Sequence, residues 1–249
     1  KDKLISFSFF NSPEVEKIKT KDINFNSISE ILTQDASPIK NFQLNTDYKK
    51  YLTNIGIIKD LIRRGDTYQV NYTLKSHFDF EGNIKTLFMR LLFNQSASYT
   101  AIINDSDKFV ISISPELFFK TEGNKIISKP MKGTISRGNN LFEDRIQKSS
   151  LANSAKDKAE NIMNVDLLRN DIGKISKINS VIAEPIYKIE KYETVFQMTS
   201  TVKAVLRENS FKSIIRNIFP CGSITGAPKI RTMEIINKLE KESRGVYTG

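Results

Sequence analysis

Ser128-Lys129-Pro130-Met131-Lys132-Gly133-Thr134 closes a strand pattern over residues 125–130 and hands the chain to a glycine. Gly133 has backbone freedom that other residues lack, and Arg137-Gly138-Asn139-Asn140 then opens a loop. A lysine at a strand end, beside a glycine that lets another molecule approach, has the placement of an amine nucleophile. Lys132 is also one of 38 Lys and Arg residues, and taken alone it reads as a solvated side chain.

Working outward, residues 98–104, 108–114, 116–121 and 125–130 alternate as strands, with turn signals at Asn104-Asp105 and Glu122-Gly123-Asn124. Short turns between neighbouring strands predict antiparallel hairpins. A two-residue turn at Gly123-Asn124 sets Glu116 opposite Met131; a three-residue loop sets it opposite Lys132. Either way a carboxylate and an amine meet at the open end of one hairpin. They can form a cross-strand ion pair, or serve as an acid beside a nucleophile.

Upstream, Tyr48, Tyr51, Leu52, Ile55, Ile58, Leu61 and Ile62 recur at helical spacing and predict a helix from Asp47 to about Gly65. A strand over 67–74 follows, with Gln69 and Asn71 on one face, and a helix over 84–93. Residues 4–10 predict a strand. Residues 11–46 are polar and read as a connection with a short helix around Ile28, Ile31 and Leu32.

Downstream, LANSAKDKAENIMNVDLLRNDIG (151–173) predicts a helix. Ser154 caps it, Asp157 stands three residues on as in a capping box, and Gly173 closes it. Asp157, Glu160 and Asn164 share a face. Asp157 is accounted for as a capping acid, whereas Glu160 is a carboxylate on a largely apolar helix, suited to a hard cation but not a site alone. Strands are expected over 181–189 and 195–205. Then Phe219-Pro220-Cys221-Gly222-Ser223-Ile224-Thr225-Gly226-Ala227-Pro228-Lys229 leads into a helix with an apolar stripe of Ile230, Met233, Ile236 and Leu239. Small residues and free amides at a helix start suit an anion, though the spacing is not that of a P-loop.

Composition narrows the chemistry. With 39% hydrophobic and 27% charged residues, the chain predicts a soluble globular protein without a membrane span. The single Cys221 excludes an internal disulfide and a cysteine zinc site, and suits a cytoplasmic location. A single His77 leaves oxygen ligands for any metal, which points to magnesium. The net charge of +10 is carried by scattered lysines with no aromatic-basic pattern. It favours steering of a small anion over a nucleic-acid partner.

SPELF (114–118), KPMKGT (129–134), the 151–173 segment and GSITGAPKIRTMEII (222–236) together resemble the chorismate-utilising enzymes. The resemblance runs from about Gly65 to Gly249. It implies an α+β fold, a large antiparallel β-sandwich with flanking helices, in a single domain over 1–249 with a shortened N-terminal region (1–46). It implies Glu160, with Asp157, as magnesium ligands and Glu116 as the acid for the C4 hydroxyl. Gly133, Thr134, Ser223, Thr225 and Gly226 then lie beside substrate. Lys132 with Gln69 is the pattern of the aminodeoxychorismate-forming branch. Anthranilate synthases, the alternative branch, carry alanine at the first position; isochorismate and salicylate synthases carry lysine at the second. Gln197 stands where relatives have histidine. The implied partner is a glutamine amidotransferase that supplies ammonia. The chain starts without methionine and stops at Gly249 with no terminating element, so a fragment is expected. The family's remaining magnesium-binding glutamates and an arginine for the substrate carboxylate are expected past that point.

Overall fold

Short β-branched runs separated by turn residues set much of this chain in antiparallel strands, and helices lie across them. The computed structural model describes residues 39–94 and 97–247. The expected strand over 4–10 and the short helix near Ile28 lie outside the described residues. The described chain opens with β1 (Ile39–Leu44), α1 (Tyr48–Arg63), β2 (Gln69–Val70), β3 (Ser76–Phe80) and α2 (Ile84–Asn94). Five strands follow: β4 (Tyr99–Asp105), β5 (Lys108–Ser114), β6 (Leu117–Glu122), β7 (Lys125–Lys129) and β8 (Met131–Ser136). Two helices, α3 (Leu141–Asn153) and α4 (Ala155–Gly173), precede β9 (Ile182–Ala183), β10 (Lys188–Lys191), β11 (Val195–Thr199) and β12 (Val202–Val205). The last elements are α5 (Phe211–Ile218), α6 (Gly222–Thr225), β13 (Gly226–Ala227) and α7 (Lys229–Leu239).

Two bent strands organise the site. β7 passes through Pro130 into β8, and β11 passes through Ser200 and Thr201 into β12. They pair antiparallel along both halves, from Val202 opposite Ser128 to Thr199 opposite Met131. Proline has no amide to donate, so the ladder opens at this joint, where the Ser200 amide reaches the Pro130 carbonyl at 3.1 Å. On one side lies the sheet β6-β7-β12-β9, on the other β10-β11-β8. Every strand pair among the described residues is antiparallel, in keeping with the expected α+β class.

Helix α4 lies across both halves. Ser154 caps it as expected, its hydroxyl accepting from the Asp157 amide at 3.2 Å. The helix starts at Ala155, and the extended Ser154 separates it from α3, a second helix that the sequence pattern did not reveal. Val165, Leu168 and Ile172 are buried with Ile126, Val202, Leu206, Ile214 and Ile218 in the main core. Each such side chain contributes about 1.5–3 kcal/mol of burial.

Two expectations change. The strand over 67–74 shrinks to Gln69–Val70, because its only ladder partner among the described residues is the two-residue β13. Beyond it the Asn71 amide goes to the Thr225 carbonyl and the Thr73 amide to Glu240, at 2.9 Å each, so side chains and a loop replace a ladder. On α7 the buried residues are Thr232, Ile235 and Ile236, while Ile230 and Met233 are exposed. The helix turns Thr232 inward because its hydroxyl bonds that of Thr67 at 2.9 Å. Strands also form where a polar connection was expected, β1 pairing with β3.

Candidate active site

Lys132 and Gly133 form a β-bulge. Met131 pairs with Thr199 and Thr134 with Gln197, so these two residues together face Met198 alone. A bulge bends its strand and re-aims a side chain, and this one falls two residues past Pro130, at the joint between the sheets. Gly133 has φ +93°, and a Cβ there would stand 2.9 Å from the Cβ of Asp157. The group that approaches this glycine is therefore the first turn of α4.

Glu116 reaches the same place from the other side. The turn is the two-residue Gly123-Asn124 form, with Glu122 opposite Lys125. A second bulge, Phe118 and Phe119 facing Ser128, then shifts the register by one, and the Ser128 hydroxyl fills the gap by donating to the Phe118 carbonyl at 2.6 Å. The Glu116 carboxylate thereby accepts from the Met131 amide and the Ser223 hydroxyl and feels the charge of Lys132. Burial pushes its pKa above the usual glutamate value, and those two hydrogen bonds and the lysine charge offset part of the rise. At the open end of this hairpin the carboxylate thus lies within the electrostatic reach of Lys132, without a direct ion pair between them.

A carboxyl whose folded pKa is raised favours the protonated form on folding. Its stabilising effect is complete below the ordinary value of 4.5 and is lost as pH rises through the raised folded value. Glu116→Gln is therefore expected to raise Tm relative to the parent at pH 7, with the gap closing as pH falls toward that ordinary value. A lower Tm for the variant at pH 7 would contradict the buried carboxylate.

Ser223 is 7% exposed, and its carbonyl accepts from the Asn71 side chain at 2.7 Å. Thr225 is buried and donates to the Cys221 carbonyl at 2.9 Å. Gly226 packs on the Gln69 backbone, so of these three it is Ser223 that faces Glu116. Gln69 pairs with Ala227, and its side-chain Oε1 is buried with no hydrogen-bond partner among the described residues. Thr134 is exposed on β8. A staple that sequence reasoning missed locks this loop. Arg244, held to Glu240 at 2.5 Å, donates to the Ile224 and Asn71 carbonyls at 2.6 Å each. An Arg four residues after a Glu was the available signal, but it reads first as a surface helix pair.

Glu160 and Asp157 lie one turn apart on α4. Glu160 pairs loosely with Lys156 at 3.9 Å and stays 40% exposed. Among the described residues no group of three or more His, Cys, Asp or Glu is placed to hold a metal. Two carboxylates, oxygen donors only, nevertheless fit magnesium, which keeps several waters and takes one or two protein carboxylates with substrate oxygens. Cys221 is buried, its Sγ 3.1 Å from the Ser223 hydroxyl, and burial pushes its thiol pKa up. His77 lies instead on β3, 3.2 Å from Glu242. The two residues are thus in separate surroundings, without the pairing that activates a thiol. No helix among the described residues is long and apolar enough to cross a membrane.

A family model described as chorismate binding enzyme matches residues 5–249. Aminodeoxychorismate synthase component 1 of Escherichia coli (strain K12) is 37% identical over 224 residues, covering 87% of this chain and 49% of that protein. Anthranilate synthase component 1 of Aquifex aeolicus (strain VF5) is 33% identical over 236 residues, covering 94% of this chain and 47% of that protein. The crystal structure of anthranilate synthase component I from Streptococcus pneumoniae TIGR4 superposes with a TM-score of 0.78 at 30% identity, over 90% of this chain and 52% of that one. The chain thus spans about half the length of these relatives.

Proposed function

The chain belongs to the family of chorismate binding enzymes, and on that premise we propose that it aminates chorismate at C4 to give 4-amino-4-deoxychorismate. What carries this reading is the bulge at Lys132, whose charge acts on the buried Glu116, itself hydrogen-bonded by Ser223 and the Met131 amide. Its 37% identity to aminodeoxychorismate synthase component 1 of E. coli supports the same branch.

In the proposed reaction Lys132 Nζ bonds to C2 of chorismate. The ring double bonds shift, and the C4 hydroxyl leaves as water with a proton from Glu116. The amine's own proton returns to Glu116. Ammonia then adds at C4, the ring double bonds shift back, and the C2–N bond breaks as Glu116 returns its proton to the departing lysine amine. An ordinary lysine is neutral in only about one molecule in 2,500 at pH 7. A proton passed from Lys132 to Glu116 forms the amine and the acid in one step, and the desolvated carboxylate that favours its protonated form suits that exchange. Gln69 Oε1, buried without a partner among the described residues, is an acceptor for a bound N–H or O–H.

Asp157 and Glu160 would hold magnesium, which supplies positive charge for the carboxylate of a dianionic substrate. Ammonia would come from a glutamine amidotransferase partner, since Cys221 is buried and apart from His77. Chorismate turnover with an ammonium salt should require added magnesium in the parent and fall by about two orders of magnitude in Glu160→Ala. Full turnover without the metal, or an unaffected variant, would remove magnesium and Glu160 from the proposal.

A further inference from the structure

The bulge that aims Lys132 is bridged from outside its own ladder by one side chain. Asn161 on α4 is completely buried. Its Nδ2 lies 3.4 Å from the Lys132 carbonyl and 3.3 Å from the Met198 carbonyl, the groups on either side of the bulge. Its Oδ1 accepts from the Ser200 hydroxyl at 2.5 Å. Ser200 in turn accepts the Tyr187 amide at 3.1 Å and sends its own amide to Pro130. The amide orientation is thus fixed from the far side, with both donors directed at the two strands. Asn161 directly follows Glu160, and Gly133, next to Lys132, seats Asp157.

We propose that Asn161 is a positioning residue that pins the Lys132–Gly133 bulge to α4, so that the lysine amine and the Asp157 and Glu160 carboxylates keep one fixed spacing. A buried polar group that bridges two strands and a helix has no alternative partner in water. Removing its donors frees the Lys132 carbonyl and lets the bulge slip. The relevance of this spacing to turnover rests on the function proposed above, but the clamp itself is a property of the backbone and can be read without substrate.

The test compares the full-length protein with Asn161→Asp, which keeps size and the acceptor but loses both donors. Ser200→Ala loses only the hydroxyl that orients the amide. Asp171→Asn weakens the other end of α4, where Asp171 bridges Lys229 at 2.5 Å and Lys174 at 2.9 Å, and serves as a control for general loosening. The first readout is the rate of acetylation of Lys132 by acetic anhydride, followed by peptide mass spectrometry against exposed Lys203. Lys132 should react about threefold faster or more in Asn161→Asp, less so in Ser200→Ala, and at the parent rate in Asp171→Asn. The second readout is kinetic: kcat should fall about tenfold or more in Asn161→Asp with KM changed much less. Unchanged Lys132 labelling in Asn161→Asp, or an equal rise in Asp171→Asn, would overturn the clamp. If the parent makes no product from chorismate, the proposed reaction fails while the labelling comparison still decides the role of Asn161.

Discussion

Lys132→Ala is expected to abolish covalent capture of chorismate and to lower turnover on the order of 10³-fold or more, as losing a nucleophile does elsewhere. The adduct is read by intact mass after acid quench, and turnover by loss of chorismate. The bulge at 132–133 exists through backbone pairing, the Gly133 conformation and the Asn161 contact to a carbonyl, none of which uses the lysine side chain. The variant should therefore keep the parent's Tm within a few degrees and still bind chorismate. Loss of activity together with a large fall in Tm would point to a structural lysine. An undiminished adduct would place the nucleophile elsewhere.

Gly226→Ala carries the largest expected cost in stability. A Cβ at Gly226 would stand 2.0 Å from the Gln69 carbonyl oxygen and 2.8 Å from the Thr232 methyl, with φ at +139°, where side chains are strained. The carbonyl belongs to backbone paired across β2 and β13 and cannot move aside as a flexible side chain would. Overpacking and backbone strain together amount to about 3–5 kcal/mol, a large part of a normal folding stability. In a chain of this size that corresponds to a fall in Tm of about 10 °C or more. Because Ser223 sits three residues earlier, the variant should also weaken the hydrogen bond to Glu116. A Tm within about 2 °C of the parent would mean that this approach of the two backbones is much looser than described.

The hairpin that brings Glu116 to Lys132 was legible because Gly123-Asn124 is turn chemistry and alternation fixes register near a turn. What alternation does not carry is an interruption. The bulge at Phe118-Phe119 and the one at Lys132-Gly133 each displace the register by a residue, and each is bridged by a buried polar side chain, Ser128 and Asn161. Such residues look ordinary in sequence because their partners are carbonyls of distant strands. Asn161 stands among Ala159, Ile162 and Val165, and an amide set between apolar residues was the trace it left. Ser154 capping α4 was legible because its partner is local, whereas Arg244 was not, since the Asn71 carbonyl it holds is 173 positions away. The α7 stripe was misjudged for a related reason: periodicity counts apolar residues, and Thr232 is buried for its hydroxyl. The roles of Asp157 and Glu160 rest on resemblance and on carboxylate chemistry.

The most direct test of the central claim is the position of nitrogen in the product. The full-length protein is given chorismate, magnesium and ¹⁵N-ammonium, and the product is read by mass spectrometry and NMR. Label at C4 with the enolpyruvyl group retained is the predicted result. Label at C2 with loss of pyruvate, giving anthranilate, would contradict it and assign the chain to the other branch.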